Sequence, residues 1–190
     1  MTRTEDGYST IDLCELRQGL SAITPSFGAA LVEAGAICLS DQGHQSGIAI
    51  TVQGNCSGVF TLLYPEVTDQ MRRCWNDQEY ATEQTAYGIA LILIQRLTDF
   101  TVVERSRKGT GFDYWLGSAV EPGKQPFRKT ARLEVSGIRQ GSHQQIRTKV
   151  RLKGAQVKPT DTLAPAYLAV IEFSQPLAQT DNGETVESKH

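Results

Sequence analysis

Three acidic side chains stand out by their setting. Glu83 lies on a stretch with helical spacing, and Asp113 and Glu134 each sit inside a short apolar run. Residues 111–116 read Gly, Phe, Asp, Tyr, Trp, Leu, and residues 131–136 read Ala, Arg, Leu, Glu, Val, Ser. The two-residue period of a strand sorts Phe112, Tyr114 and Leu116 to one face and Asp113 with Trp115 to the other. It likewise separates Ala131, Leu133 and Val135 from Arg132, Glu134 and Ser136. If the two strands are neighbours, Asp113 and Glu134 meet. Magnesium is a hard cation that is commonly held by one or two carboxylates together with waters and a substrate phosphate. The surroundings are cationic. Residues 101–160 hold thirteen Lys and Arg against four Asp and Glu, a net +9, in a chain whose total is −2. Acids planted in a local positive field point to metal or phosphate chemistry.

The elements that must position these acids are legible as periodicity. Residues 76–97 predict the strongest helix, in which Ala86, Ala90, Leu93, Ile94 and Leu97 follow a buried stripe and Glu83 extends it inward. A carboxylate near a helix N-terminus is also favoured by the macrodipole alone. Residues 100–104 read as a strand, 105–111 as a basic turn, and 112–116 and 131–136 as two further strands. A helix over 144–152 follows, with Lys149 and Lys153 four apart on one side. Residues 165–173 contain an apolar run, 167–171, suited to a central strand buried on both faces. The order over 76–175 is thus helix, three strands, helix, strand. Upstream, residues 26–36 read as a helix, and 36–40, 47–52 and 58–64 as a three-stranded meander, making 26–66 a strand-rich extension. Residues 181–190 read as a disordered tail.

This order, with Glu83 in the first helix, Asp113 in the second strand and Glu134 opening a Glu-x-x pattern in the third, resembles the PD-(D/E)xK nuclease superfamily over a little more than half the chain. The resemblance implies an α/β fold with a mixed central sheet and an αβββαβ core. It also implies magnesium held by Glu83, Asp113 and Glu134, and a Lys two residues after the strand Glu that assists the attacking water. At that position the chain has Ser136, which brings a hydroxyl but no charge. Lys108 is the candidate for a relocated Lys, with Arg107, Arg132 and Arg139 as weaker ones. Arg105, Arg107, Lys108, Arg132 and Arg139 are the expected contacts to a DNA or RNA backbone, since phosphate binding needs only point charges or planar forks.

Other features narrow the field. A 39% apolar, 21% charged composition over 190 residues fits one domain, 1–180, with a sizeable core. Cys14, Cys38, Cys56 and Cys74 are 24, 18 and 18 residues apart, with no close pair for zinc or redox chemistry. The polar first ten residues and the shortness of the apolar run at 89–94 argue against a signal segment or a membrane span, so a cytoplasmic chain is expected. Residues 117–124 lack the spacing of a phosphate-binding loop. His44 and His143 read as surface histidines, Trp75 and Trp115 as base-stacking or packing residues, and Glu172 as a solvated strand end. Three functions follow: a magnesium-dependent nuclease, for which the resemblance permits a role in bacterial defence against foreign DNA; an inactive relative that binds nucleic acid or a partner protein; and an adaptor whose basic face docks an acidic protein partner.

Overall fold

The computed structural model describes residues 9–118, 128–160 and 162–182. Its strands are β1 (Ser9–Asp12), β2 (Ile48–Gly54), β3 (Gly58–Leu63), β4 (Phe100–Arg105), β5 (Tyr114–Ser118), β6 (Ala131–Ile138), β7 (Ala166–Glu172) and β8 (Leu177–Asp181). Its helices are α1 (Pro25–Asp41), α2 (Asp69–Cys74), α3 (Gln78–Leu97) and α4 (His143–Val157). All eight strands join one mixed sheet in the order β1-β3-β2-β8-β7-β6-β5-β4. The succession α3, β4, β5, β6, α4, β7 is the αβββαβ order expected for residues 76–175. β4, β5 and β6 are antiparallel neighbours, and β7 lies parallel to β6 after the crossover through α4.

α3 starts where the Asp77 carboxylate accepts the Glu79 and Tyr80 backbone N–H groups, each at 3.0 Å. It is the central helix of the molecule: every residue from Ala81 to Leu93 is buried except Glu83. α4 starts at a capping box, with Ser142 accepting from Gln145 N and the Gln145 side chain accepting from Ser142 N. The two helices take opposite faces of the sheet. α1 and α3 share a core with Tyr114, Leu116, Leu133, Val135, Ala169 and Ile171, while Val157 of α4 packs with Phe112, Ala166 and Leu168. The alternation expected along β6 and the burial expected on both faces of β7 are therefore observed.

Several expectations are corrected. Residues 36–40 are not a strand but the last turns of α1, which runs to Asp41; small residues there allow α1 to lie closely on α3, as where Gly35 faces Leu13 and Thr85. The 26–66 region is thus a helix and a hairpin, and the hairpin's outer partner is β1, paired parallel to β3. β8 returns between β7 and β2, uniting the N-terminal hairpin with the core in a single sheet. It takes in Asp181, so the tail cannot begin there; residues 183–190 lie outside the described residues. Phe112 also breaks the expected alternation: regular pairing starts only at Tyr114, and Phe112 packs edge-on against Trp115, ring centroids 4.8 Å apart, on the α4 face. Among the described residues no helix is long and apolar enough to cross a membrane.

Candidate active site

A fork in the sheet creates the site. β5 pairs with β6 only from Tyr114–Leu133 to Leu116–Ala131, while β6 continues beside β7 as far as Ile138. Beyond the Tyr114–Leu133 pair the strands part, and a cleft of about 840 Å³ opens between α3, the β4–β5 turn, β6 and α4. Asp113 stands at the fork. Its backbone N–H donates to Leu133 O at 2.9 Å, and its Oδ2 accepts the Val135 N–H at 2.8 Å, satisfying a β6 donor that β5 no longer reaches. Two glycines set the width. Gly111, at φ +82°, brings the turn against α4, where its carbonyl accepts from Gln156 Nε2 at 3.3 Å. Gly137 lets α3 approach β6, since a Cβ there would lie 2.7 Å from the Thr82 carbonyl oxygen.

The acids then meet around two unforeseen side chains, Tyr87 and Lys153. The Tyr87 hydroxyl lies 2.9 Å from Asp113 Oδ1 and 3.1 Å from Glu83 Oε1, one proton shared between two carboxylates. Burial, then the Asp113 charge, and then Glu83 push the Tyr87 hydroxyl well above the ordinary tyrosine range, so it stays a donor. Glu134 is only 3% exposed. Its Oε1 accepts from Lys153 Nζ at 2.5 Å and from Gln156 Nε2 at 3.2 Å. Burial, followed by the Asp113 charge, raises the Glu134 carboxyl to about 7, with Lys153 pulling in the opposite direction. Two carboxylates face one another here, and one ammonium does not fully compensate them. Nearby, Arg105 rests over the rings of Phe27, Tyr87 and Tyr114, its guanidinium carbon 6.0, 5.5 and 5.6 Å from their centroids.

Glu83, Asp113, Glu134, Ser136, Lys108, Arg105, Arg107 and Arg139 all line this one cleft. Glu83 is not part of the buried stripe of α3, contrary to expectation; it is the single exposed position in that run because the cleft opens over it. Lys108 is exposed on the β4–β5 turn, whereas Lys153 is the lysine bonded to a site carboxylate. Arg132 is corrected. It is 0% exposed and its guanidinium is spent inside the fold, on the carbonyls of Ala164 (2.7 Å) and Val157 (3.0 Å) and on the Thr160 hydroxyl, so it cannot reach a nucleic acid. Arg139 is diverted in part, with one nitrogen 3.4 Å from Asp41 on α1. Glu172 is not a solvated strand end but 1% exposed, clamped by backbone N–H groups outside the cleft. His44 bonds the Phe173 carbonyl at 2.8 Å. Trp115 is taken up by packing on Phe112 and beneath Lys129.

Among the described residues, no three His, Cys, Asp or Glu side chains stand close enough together to hold a metal ion. Glu83 reaches Asp113 through the Tyr87 hydroxyl instead. Asp113 and Glu134 by themselves fit the two-carboxylate donor set that magnesium uses with waters and phosphate, and a divalent cation would relieve the repulsion that raises the Glu134 carboxyl. Lys153 was within reach of sequence reasoning, through its spacing from Lys149; Tyr87 carried no signal beyond the buried helix stripe. No family model, curated protein or solved structure matches this chain.

Proposed function

We propose that the protein binds nucleic acid in this cleft and cleaves phosphodiester bonds with the help of a divalent cation, magnesium for preference, held by Asp113 and Glu134. The observation that carries this reading is the convergence of Asp113 and the buried Glu134 with Lys153 in a cleft whose rim is cationic. Arg105, Arg107, Lys108 and Lys149 line that cleft and have no ion pair among the described residues, which leaves their charge available for phosphate.

Each side chain then has a chemical task. A magnesium ion in such a site supplies Lewis-acid polarisation of a phosphoryl oxygen and a water of lowered pKa. Asp113, pinned by Tyr87 and Val135, presents a fixed carboxylate, and Glu134 presents a second across the fork. Lys153 keeps a positive charge beside Glu134, where negative charge grows in the transition state; it takes the part expected of the residue that Ser136 replaces. Removing a preorganised stabiliser of this kind lowers the rate about a hundred- to a thousandfold. Tyr87 holds Asp113 and Glu83 in register, and Arg105, steadied on three rings, orients the backbone. The long β6–β7 ladder behind the site holds Glu134 in place.

The test is nicking of supercoiled plasmid with magnesium. Asp113→Asn should abolish it while leaving thermal stability close to that of the wild type, because the amide oxygen can still accept the Val135 N–H and one of two like charges is removed. Cleavage retained in that variant overturns the proposal. Magnesium-independent binding of nucleic acid with no cleavage by the wild type would point to an inactive relative.

A further inference from the structure

We infer that the stacked pair of Trp75 and Tyr80 is a platform for an unpaired nucleobase beside the cleft, so that the substrate is a nucleic acid with an unstacked nucleotide, a single strand or frayed end, in preference to an intact duplex. The inference rests on the reading of the cleft given above and adds a substrate class to it.

The two rings lie nearly parallel, 13° apart with centroids separated by 5.7 Å. Trp75 is the anchored member. It is 8% exposed, packed with Ala34, Ile37 and Ala81, and its indole N–H donates to Glu33 Oε2 at 3.1 Å. Tyr80 is the presented member: 52% exposed, with its backbone tied to Asp77 at the helix cap. A tyrosine that served only to staple the start of α3 would be covered on both sides. Here one side of the ring is stacked on a buried indole, and half the residue remains open to solvent.

Position links this pair to the chemistry. Tyr80 precedes Glu83 by three residues and Tyr87 by seven, so the three share a helix face, with the Tyr80 and Glu83 Cβ atoms about 5–6 Å apart by helix geometry. Gln78 and Glu79 before Tyr80 and Thr82 and Glu83 after it line the cleft. Base stacking on an aromatic face is tolerant of sequence, and a base inside a duplex has no free face to offer.

Fluorescence anisotropy with a short single-stranded oligonucleotide carrying 2-aminopurine, and with its duplex, tests this without metal or cleavage. The wild type should prefer the single strand and quench 2-aminopurine. Tyr80→Leu should weaken single-strand binding roughly tenfold or more, with the salt dependence unchanged, and Tyr80→Trp should restore it. If Tyr80→Leu melts as the wild type does and binds the single strand equally well, the platform is overturned while the cleft reading stands. If the wild type binds neither form, the cleft reading falls and the platform with it.

Discussion

Two buried glutamates on adjacent parallel strands meet opposite fates. Glu172, on β7, is 1% exposed, and its oxygens accept the backbone N–H groups of Gly141 (3.1 Å), Ser174 (2.9 Å) and Gln175 (2.8 Å) as well as the Ser174 hydroxyl. Glu134, on β6, is 3% exposed, yet among the described residues it accepts only from the side chains of Lys153 and Gln156 and faces the Asp113 carboxylate. Glu172 closes the β7–β8 turn and ties it to the loop ahead of α4. Glu134 is held in an unfavourable charge environment that nothing in the fold requires. Burial alone therefore does not mark a functional acid; burial combined with an uncompensated neighbour is what makes Glu134 the candidate.

Substitutions should separate the two. The largest effect expected is on activity: Glu134→Gln should lower magnesium-dependent nicking about a hundred- to a thousandfold, with a melting temperature at pH 8 equal to or above that of the wild type. An unimpaired nicking rate would place Glu134 with Glu172 as a structural residue. Glu172→Ala should do the reverse. It strands three backbone donors, each worth about 1–3 kcal/mol when left buried and unpaired, so urea denaturation should register a loss of about 3 kcal/mol or more while the folded fraction keeps its nicking rate. Wild-type stability in that variant would sink the clamp.

The pH response sharpens the contrast further. Glu134 titrates near 7 in the folded chain, against 4.5 for an ordinary carboxyl. Between those values the folded chain retains a proton that the unfolded chain has released. Its contribution to stability is therefore complete below about 4.5 and is lost as pH rises through about 7. Urea midpoints of the metal-free wild type should fall relative to Glu134→Gln between pH 5 and 8; parallel curves would show that the carboxyl is not strained. The smallest effect concerns the rim. Arg107→Ala should reduce the salt slope of oligonucleotide binding by about one and weaken all sequences alike, an effect beyond the reach of Arg132 because its guanidinium faces inward.

Much of the fold was legible. The helix at 76–97, the three strands after it and the apolar run at 167–171 each carry the period of the element they form, because each buries one side or both against a neighbour. Boundaries suffered where small residues blur periods: the run at 36–40 reads equally as strand or helix, and only contact with α3 selects the helix. β1 and β8 were missed because both are short and polar at their outer ends, and each depends on a distant partner, β1 on β3 and β8, beyond its hairpin with β7, on β2. Within the site, Asp113 and Glu134 announced themselves as acids in apolar runs. Tyr87 and Gln156 did not, since their importance lies in what they touch.

Local pattern determined the succession of elements, the face each residue of β6 occupies and the apolar character of β7, because these depend on neighbours two to four residues away. Tertiary structure alone decided that β5 and β6 would part at Asp113, that Lys153 rather than Lys108 would reach Glu134, and that Arg132 would be turned inward. Those outcomes depend on how far one strand outruns another and on where a crossover helix lands, and both are settled by packing between segments that the chain holds far apart.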